Sequence, residues 1–309
     1  MKKKYYYKVY NTTIETPFPI IELLEIPPQK VEVRIQEKKL PDRLEIVTTE
    51  GSFFQNTMQY QIQGNKVFFT IENVGKYFIK NENEVFIHRV KGVSDSDICI
   101  YLLGTCFAYL NMLKGYFSLH GSAIKTENGC IIFTGDSGVG KSTTAAGFIA
   151  KGYEILSDDV CVISFDNLGK PIVYPAFPQL KLWDNSVEKL GFEKEGLNMV
   201  SKNWQKFRIP TQGVFYDEPL PLIQIIELVP SDEPEIKLIP LHKFDKMTVL
   251  LKHTFRNYLI PSLGLEKQHF AFCSRLAAHI DVVKLERPKH LFLLNELINL
   301  IETEIVVSV

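Results

Sequence analysis

Charge of one sign is missing from this sequence: 35 Lys+Arg stand against 36 Asp+Glu, a formal net charge of −1. No whole-molecule field therefore draws it to a phosphate backbone or an anionic membrane, and neither nucleic acid nor membrane is an expected partner. Cysteine is sparse. Cys99, Cys106, Cys130, Cys161 and Cys273 are odd in number, form no CxxC pair and lie mostly in apolar runs. That argues against a disulfide framework or a structural zinc site and fits small core residues in a reducing cytoplasm. Long hydrophobic runs are lacking too. The longest, Ile98 to Leu113, contains Asn111, falls short of the roughly 18 to 20 apolar residues that cross a bilayer, and reads as a buried helix. The opening Met1-Lys2-Lys3-Lys4 continues into Tyr5-Tyr6-Tyr7-Lys8 rather than an apolar stretch, so no secretory signal is expected and a cytoplasmic location is. Internal repeats and low-complexity tracts are absent.

What is present is 309 residues with 45% hydrophobic and 23% charged side chains, enough for one large α/β domain or two smaller ones. From about residue 30 to 90 the pattern has period two, in the runs KVEVRIQE, RLEIVTTE, MQYQIQG, KVFFTIE, KYFIKNE and EVFIHRV. Gly64-Asn65, Asn73-Val74-Gly75 and Asn81-Glu82-Asn83 mark short turns between them, which predicts antiparallel hairpins. Phe53, Phe54, Phe68, Phe69 and Phe78 recur here as strand-packing aromatics. At Gly92 the pattern changes: Ser94, Asp95 and Ser96 offer caps for a helix ending near Gly115. The expected division is a β-rich N-terminal domain over 1–93 and a catalytic domain over 94–309.

In the second part a strand around Ser118 to Ile124, the apolar strand Cys130 to Thr134, a glycine loop, a helix from Lys141 to about Lys151 and a strand ending at Asp158 follow in order. That is the order of a phosphate-binding α/β domain. Strands VCVISF, PLIQIIELVP and HIDVVKLE then alternate with helical stretches at 183–190, 241–252, 266–278 and 289–302, while 192–218 has no clear period and reads as a mobile loop.

Gly135-Asp136-Ser137-Gly138-Val139-Gly140-Lys141-Ser142 satisfies GxxxxGK[ST] between an apolar strand and a helix. Chance alone produces it in roughly one chain in a hundred of this length. The glycines let backbone N–H groups close around a phosphate, Lys141 brings a cation to the β and γ phosphates, and Ser142 places a hydroxyl on Mg²⁺. Asp158-Asp159 follows 17 residues after Lys141, on a strand expected to run beside the loop strand. Two carboxylates there suit a Mg²⁺ ligand and a group facing the phosphoryl acceptor; a turn or helix cap is the plainer account. His120 precedes Gly121-Ser122-Ala123 on a strand expected to neighbour the loop strand, where it suits catalysis or a place near the metal. Lys202, Lys206 and Arg208 fit a phosphate clamp or peptide-docking site as well as solvated charge. His253, Arg256 and His269 read as helix-surface charge or core histidines.

The stretch LHGSAI…CIIFTGDSGVGKSTTAAGFIAKGYEILSDDV resembles the kinase domain of HPr kinase/phosphorylase and its shorter relatives, whose core is similar to that of ATP-dependent phosphoenolpyruvate carboxykinase. The likeness covers about residues 116 to 305. It implies a P-loop kinase fold binding ATP and Mg²⁺, with the phosphates held by residues 135–141, Ser142 and Thr143. It also implies Asp158 as base on the acceptor hydroxyl, Asp159 with Ser142 in the metal shell, His120 beside the transferring phosphate, and a homo-oligomer. The glycine-rich run of authentic HPr kinases (a run like EVRGLGIINV) and their N-terminal domain are absent. The resemblance therefore points to the short relatives, among them kinases of lasso-peptide clusters that phosphorylate a precursor's C-terminal serine. The expected activity is a Mg-ATP-dependent serine kinase acting on a peptide or protein. HPr or a metabolite as acceptor, or a nucleotide-gated regulatory module, are the alternatives.

Overall fold

A computed structural model describes the chain except residues 1–2, 46, 48, 54–57, 202–203 and 307–309, with the backbone alone at 53, 201, 204 and 306. It is a mixed α/β protein in two compact units, Met1–Tyr116 with Tyr258–His269, and Phe117–Asn257 with Phe270–Val309. The helical stretch before Tyr116 thus groups with the β-rich part, whereas the sequence reading drew the line at 93.

The first unit holds an eight-stranded sheet. Met58–Gln63, Lys66–Ile71, Gly75–Asn81 and Glu84–Arg89 form an antiparallel meander, joined at each of the turns read from the sequence. Alternation buries Tyr60, Ile62, Phe69, Tyr77 and Ile79. Phe68 is buried and Phe78 half-buried, the two rings packing together, while Phe54 lies outside the described residues. Two features differ from expectation. Among its described residues RLEIVTTE contributes only Thr49 and Glu50, to the strand Thr49–Phe53. An unforeseen hairpin, Tyr5–Val9 with Thr12–Thr16, opens the chain. Its turn residues Tyr10 and Asn11 both have positive φ, 49° and 57°, the twist a two-residue hairpin needs. Tyr10 tolerates that strained backbone with its ring fully buried against Phe107.

Ser94 caps the helix Asp95–Tyr101, which continues through a π segment, Leu102–Cys106, into Phe107–Leu113. By length and composition the span Asp95–Leu113 is long and apolar enough to cross a membrane; 61% of its most apolar window is buried within the chain. All five cysteines are buried thiols.

In the second unit the loop strand Gly129–Thr134 is buried on both faces and paired on both edges, antiparallel to Phe117–Thr126 and parallel to Leu220–Ser231. The latter pairs in parallel with Asp281–Pro288, whose other edge takes Lys237–Pro240. The strand leading to the aspartates does not run beside the loop strand: Ile155–Ser157 and Val160–Phe165 both pair with Phe117–Thr126, which lies between. Pro171–Tyr174 joins Val160–Phe165 to the start of Leu220–Ser231, so the pairing closes on itself.

Ile131 and Phe133 face one layer, with helices Lys141–Ala150 and Leu294–Ile301; Cys130 and Ile132 face another, with Val249, Leu250, Cys273 and Leu276. Residues 192–218 are not one loop. They supply Asn198–Ser201 and Trp204–Pro210, which with Gln179–Trp183 form a three-stranded sheet whose Leu180, Leu182 and Ile209 join the loop-helix layer.

Candidate functional site

The glycine loop leaves the end of Gly129–Thr134 and turns into the helix beginning at Lys141. Gly135 has φ 140°, and a Cβ there would meet Leu228 O at 2.6 Å, so the first loop position admits only glycine. Lys141 is 7% exposed and its Nζ donates to Gly135 O and Asp136 O at 2.9 and 3.0 Å. Burial pushes this ammonium down to about 8, against the pull of Asp159 and Asp158. A cation buried at a helix N-terminus, among backbone donors, suits a polyanion that would restore its charge.

The two aspartates sit where the strand 155–165 breaks. Asp159 has φ 75°, so the chain leaves extended geometry between the two carboxylates. Beside them Gly121 leaves no room for a side chain, since a Cβ would lie 2.6 Å from Phe133 O. Asp158 is buried and fully engaged: Oδ1 accepts from Ser122 Oγ at 2.6 Å and Ser142 Oγ at 2.7 Å, and Oδ2 from the Lys181 N–H at 2.8 Å. Gln179–Trp183 is an edge strand, which is why that N–H can turn outward to a carboxylate.

Asp159 faces the other way. Its Oδ2 takes Lys181 Nζ at 2.9 Å and its Oδ1 lies 3.5 Å from His120 Nδ1, with 27% of the side chain exposed. Burial pushes its carboxyl up, but Lys181, His120 and Lys206 together outweigh it and hold Asp159 well below the usual carboxylate range. His120 is pushed down, chiefly by burial. Its Nδ1 lies 2.9 Å from the Asp159 carbonyl. A carbonyl only accepts, so Nδ1 carries the proton and Nε2 of the neutral ring carries a lone pair.

The structure thus brings His120, the loop, Ser142, Asp158 and Asp159 together. It joins Ser142 to Asp158, where the expectation had paired it with Asp159. Lys206 is half-buried over the Trp183 ring, 5.2 Å from its centroid. Arg208 is buried and donates to Val200 O, a strut inside the small sheet. Lys202 lies outside the described residues.

Three groups escaped sequence reasoning. Lys181 touches both aspartates. Glu227 is buried on the strand parallel to the loop strand, in register with Thr134, and meets buried His253 Nε2 at 2.7 Å. Lys252 Nζ lies 3.1 Å from Asp136 Oδ1. An acid closing the apolar run PLIQIIE was the available signal for Glu227; nothing in the sequence marks Lys181.

Among the described residues no cluster of three His, Cys, Asp or Glu forms a ready-made metal cage. The hydroxyl of Ser142 against the Asp158 carboxylate nevertheless suits Mg²⁺, which takes one or two carboxylates and completes its shell with water and phosphate oxygens.

No family model matches the chain. It is 30% identical over 137 residues to HPr kinase/phosphorylase of Clostridium botulinum (strain Alaska E43 / Type E3), spanning 38% of this chain and 42% of that enzyme. The match therefore covers less than half the length of this curated relative and supports an HPr-kinase-like relationship over that stretch. Among solved structures, the HPr(Ser) kinase/phosphatase from Coxiella burnetii matches at TM-score 0.30 and 15% identity, covering 62% of this chain and 93% of that one.

Proposed function

We propose that this chain is a Mg-ATP-dependent phosphotransferase that moves the γ-phosphoryl group to a serine hydroxyl of a peptide or protein. One observation carries the reading. The adjacent aspartates connect the loop serine, at 2.7 Å from Asp158, with the histidine, at 3.5 Å from Asp159. Pure nucleotide binding has no use for the second connection.

In this reading the loop N–H groups and Lys141 cradle the phosphates, and Ser142 and Asp158 hold Mg²⁺. The metal, when bound, neutralises charge on the phosphate oxygens. The two aspartates exchange the roles the resemblance implied. Asp158, with both oxygens engaged, is a ligand and anchor; Asp159, partly exposed beside His120, faces the acceptor. The serine oxygen bonds to the γ phosphorus, the bond to the bridging oxygen breaks, and ADP leaves. The hydroxyl proton passes to Asp159. Its depressed pKa makes Asp159 an orienting acceptor that takes the proton late, which suits a loose transition state with little early demand for a strong base. His120, neutral, holds the Asp159 backbone and offers Nε2 to the same space.

The acceptor we favour is a ribosomally made precursor peptide of lasso type, since the chain resembles the shorter HPr-kinase relatives and lacks the glycine-rich run. The reading places the enzyme in a reducing cytoplasm. The test is transfer from γ-labelled ATP with Mg²⁺ to HPr, to Ser-terminated precursor peptides and to no acceptor, with the label located by mass spectrometry. Label is expected on a peptide serine, falling by about 10²- to 10³-fold in Lys141→Ala and Asp158→Asn. ATP binding with no acceptor-dependent transfer, or full turnover by either variant, overturns it; label on HPr alone moves the substrate to that protein.

A further inference from the structure

Beside the loop helix lies a cavity of about 240 Å³ that Asp158 does not line. Its walls include Gly138 and Gly140 of the loop, Thr143, Lys189, Phe292 and Leu294. Resting on the phosphate-site reading above, the geometry points to this cavity as the seat of the nucleotide's base.

Direction comes first. Ser142 bonds to Asp158 and so marks the end of the loop where the terminal phosphate and metal belong. The next residue, Thr143, lines the cavity, so a triphosphate lying along the helix N-terminus with its γ end at Asp158 carries its nucleoside toward that cavity. The loop is pinned on this side: Arg287 donates through Nε and Nη2 to Val139 O at 3.1 and 2.6 Å.

The chemistry of the walls agrees. Phe292 presents its ring at the cavity wall, 46% exposed. Lys189 Nζ stands 4.7 Å from its centroid, and Leu294 and Leu297 supply an apolar floor. Thr143 and Ser186, the hydroxyls nearest the loop, bond to each other at 2.9 Å. A flat heterocycle is held here by its face, on Phe292 and the leucines, as sequence-tolerant base stacking works elsewhere. The volume lies just below the range of small-molecule pockets, about 300 Å³ and upward, and suits one ring system rather than a peptide.

The experiment compares Mg-ATP with Mg-tripolyphosphate, which has the same phosphates and no base, binding to the full chain. The wild type is expected to bind ATP more tightly. Phe292→Ala is expected to weaken ATP about tenfold and leave tripolyphosphate within about twofold, while Phe292→Tyr, which keeps the ring, leaves both near wild type. Unchanged ATP affinity in Phe292→Ala, or an equal loss of both ligands at an unchanged ligand-free melting temperature, overturns the base seat. Failure of the wild type to bind even tripolyphosphate overturns the phosphate site itself, and this proposal with it.

Discussion

The two units bury different things. Among the described residues of the β-rich unit the buried polar side chains are Thr12, Thr16, Glu22, Thr105 and Asn111. Of its ion pairs, Arg43–Glu50, 64% and 57% exposed, and Lys80–Glu84, 48% and 30% exposed, lie at the surface. The α/β unit buries Lys141, Asp158, Glu227, His253 and Arg208, and the first four gather around one loop. Desolvating charge costs several kcal/mol per ion unless hydrogen bonds replace the lost water. Asp158 meets that cost with three donors. The difference teaches where this protein concentrates its buried charge: four such groups gather around one loop.

That contrast can be sharpened most by Lys181. Replacing it with Met removes a charge-assisted contact from Asp159 and leaves the backbone donor to Asp158 in place. We expect the turnover rate to fall about ten- to a hundredfold at neutral pH. Since Lys181 is the largest of the influences holding Asp159 down, its loss raises that carboxyl, and the acid limb of the rate profile shifts to higher pH; Lys181→Arg restores both. An unshifted limb would make Lys181 merely structural.

A smaller effect concerns Lys141. Its ammonium, pushed down to about 8 in the free chain, should be driven back up by phosphate. Binding of ATP at pH 8 is then accompanied by uptake of about half a proton, falling toward zero near pH 6.5. Calorimetry in buffers of differing ionisation enthalpy reads this directly. The sign for stability follows as well. Between about 8 and the ordinary value of 10.5 the unfolded chain binds more protons than the folded one, so this residue's share of stability rises with pH across that window and is flat below it.

Least of all is expected from the β-rich unit's surface. Lys80→Ala should change unfolding stability by about 0.5 kcal/mol or less in chemical denaturation. A larger loss would erase the distinction between the units.

Much of the site was legible before any coordinates, because the phosphate loop is local: its glycines, lysine and serine are consecutive, and the flanking periodicity identifies strand and helix. The paired aspartates were legible by their place at a strand end, and His120 by its place ahead of small residues on a strand expected to neighbour the loop strand. Which aspartate meets Ser142 was not, since that depends on Asp159 taking a left-handed φ and on Phe117–Thr126 inserting between the loop strand and the acid strand. Lys181 arrives by pairing between distant segments, so no local pattern announces it, and the contact of Glu227 with His253 is likewise set by the fold. The meander from Met58 to Arg89 followed its alternation and turns, whereas Tyr10 hid a hairpin by occupying a position that normally advertises itself with Gly or Asn. The segment 192–218 lost its period to its own bulged pairing between Met199 and Ser201.

The closed pairing around Gly129–Thr134 carries a consequence for how an acceptor is recognised. With a neighbour on each edge, the loop strand itself presents no unpaired backbone to an incoming chain, so in the proposed reading a peptide acceptor does not pair with that strand. If the proposed serine acceptor is right, it reaches Asp159 as a side chain or chain terminus, or along the edge strand Gln179–Trp183, and not along the loop strand.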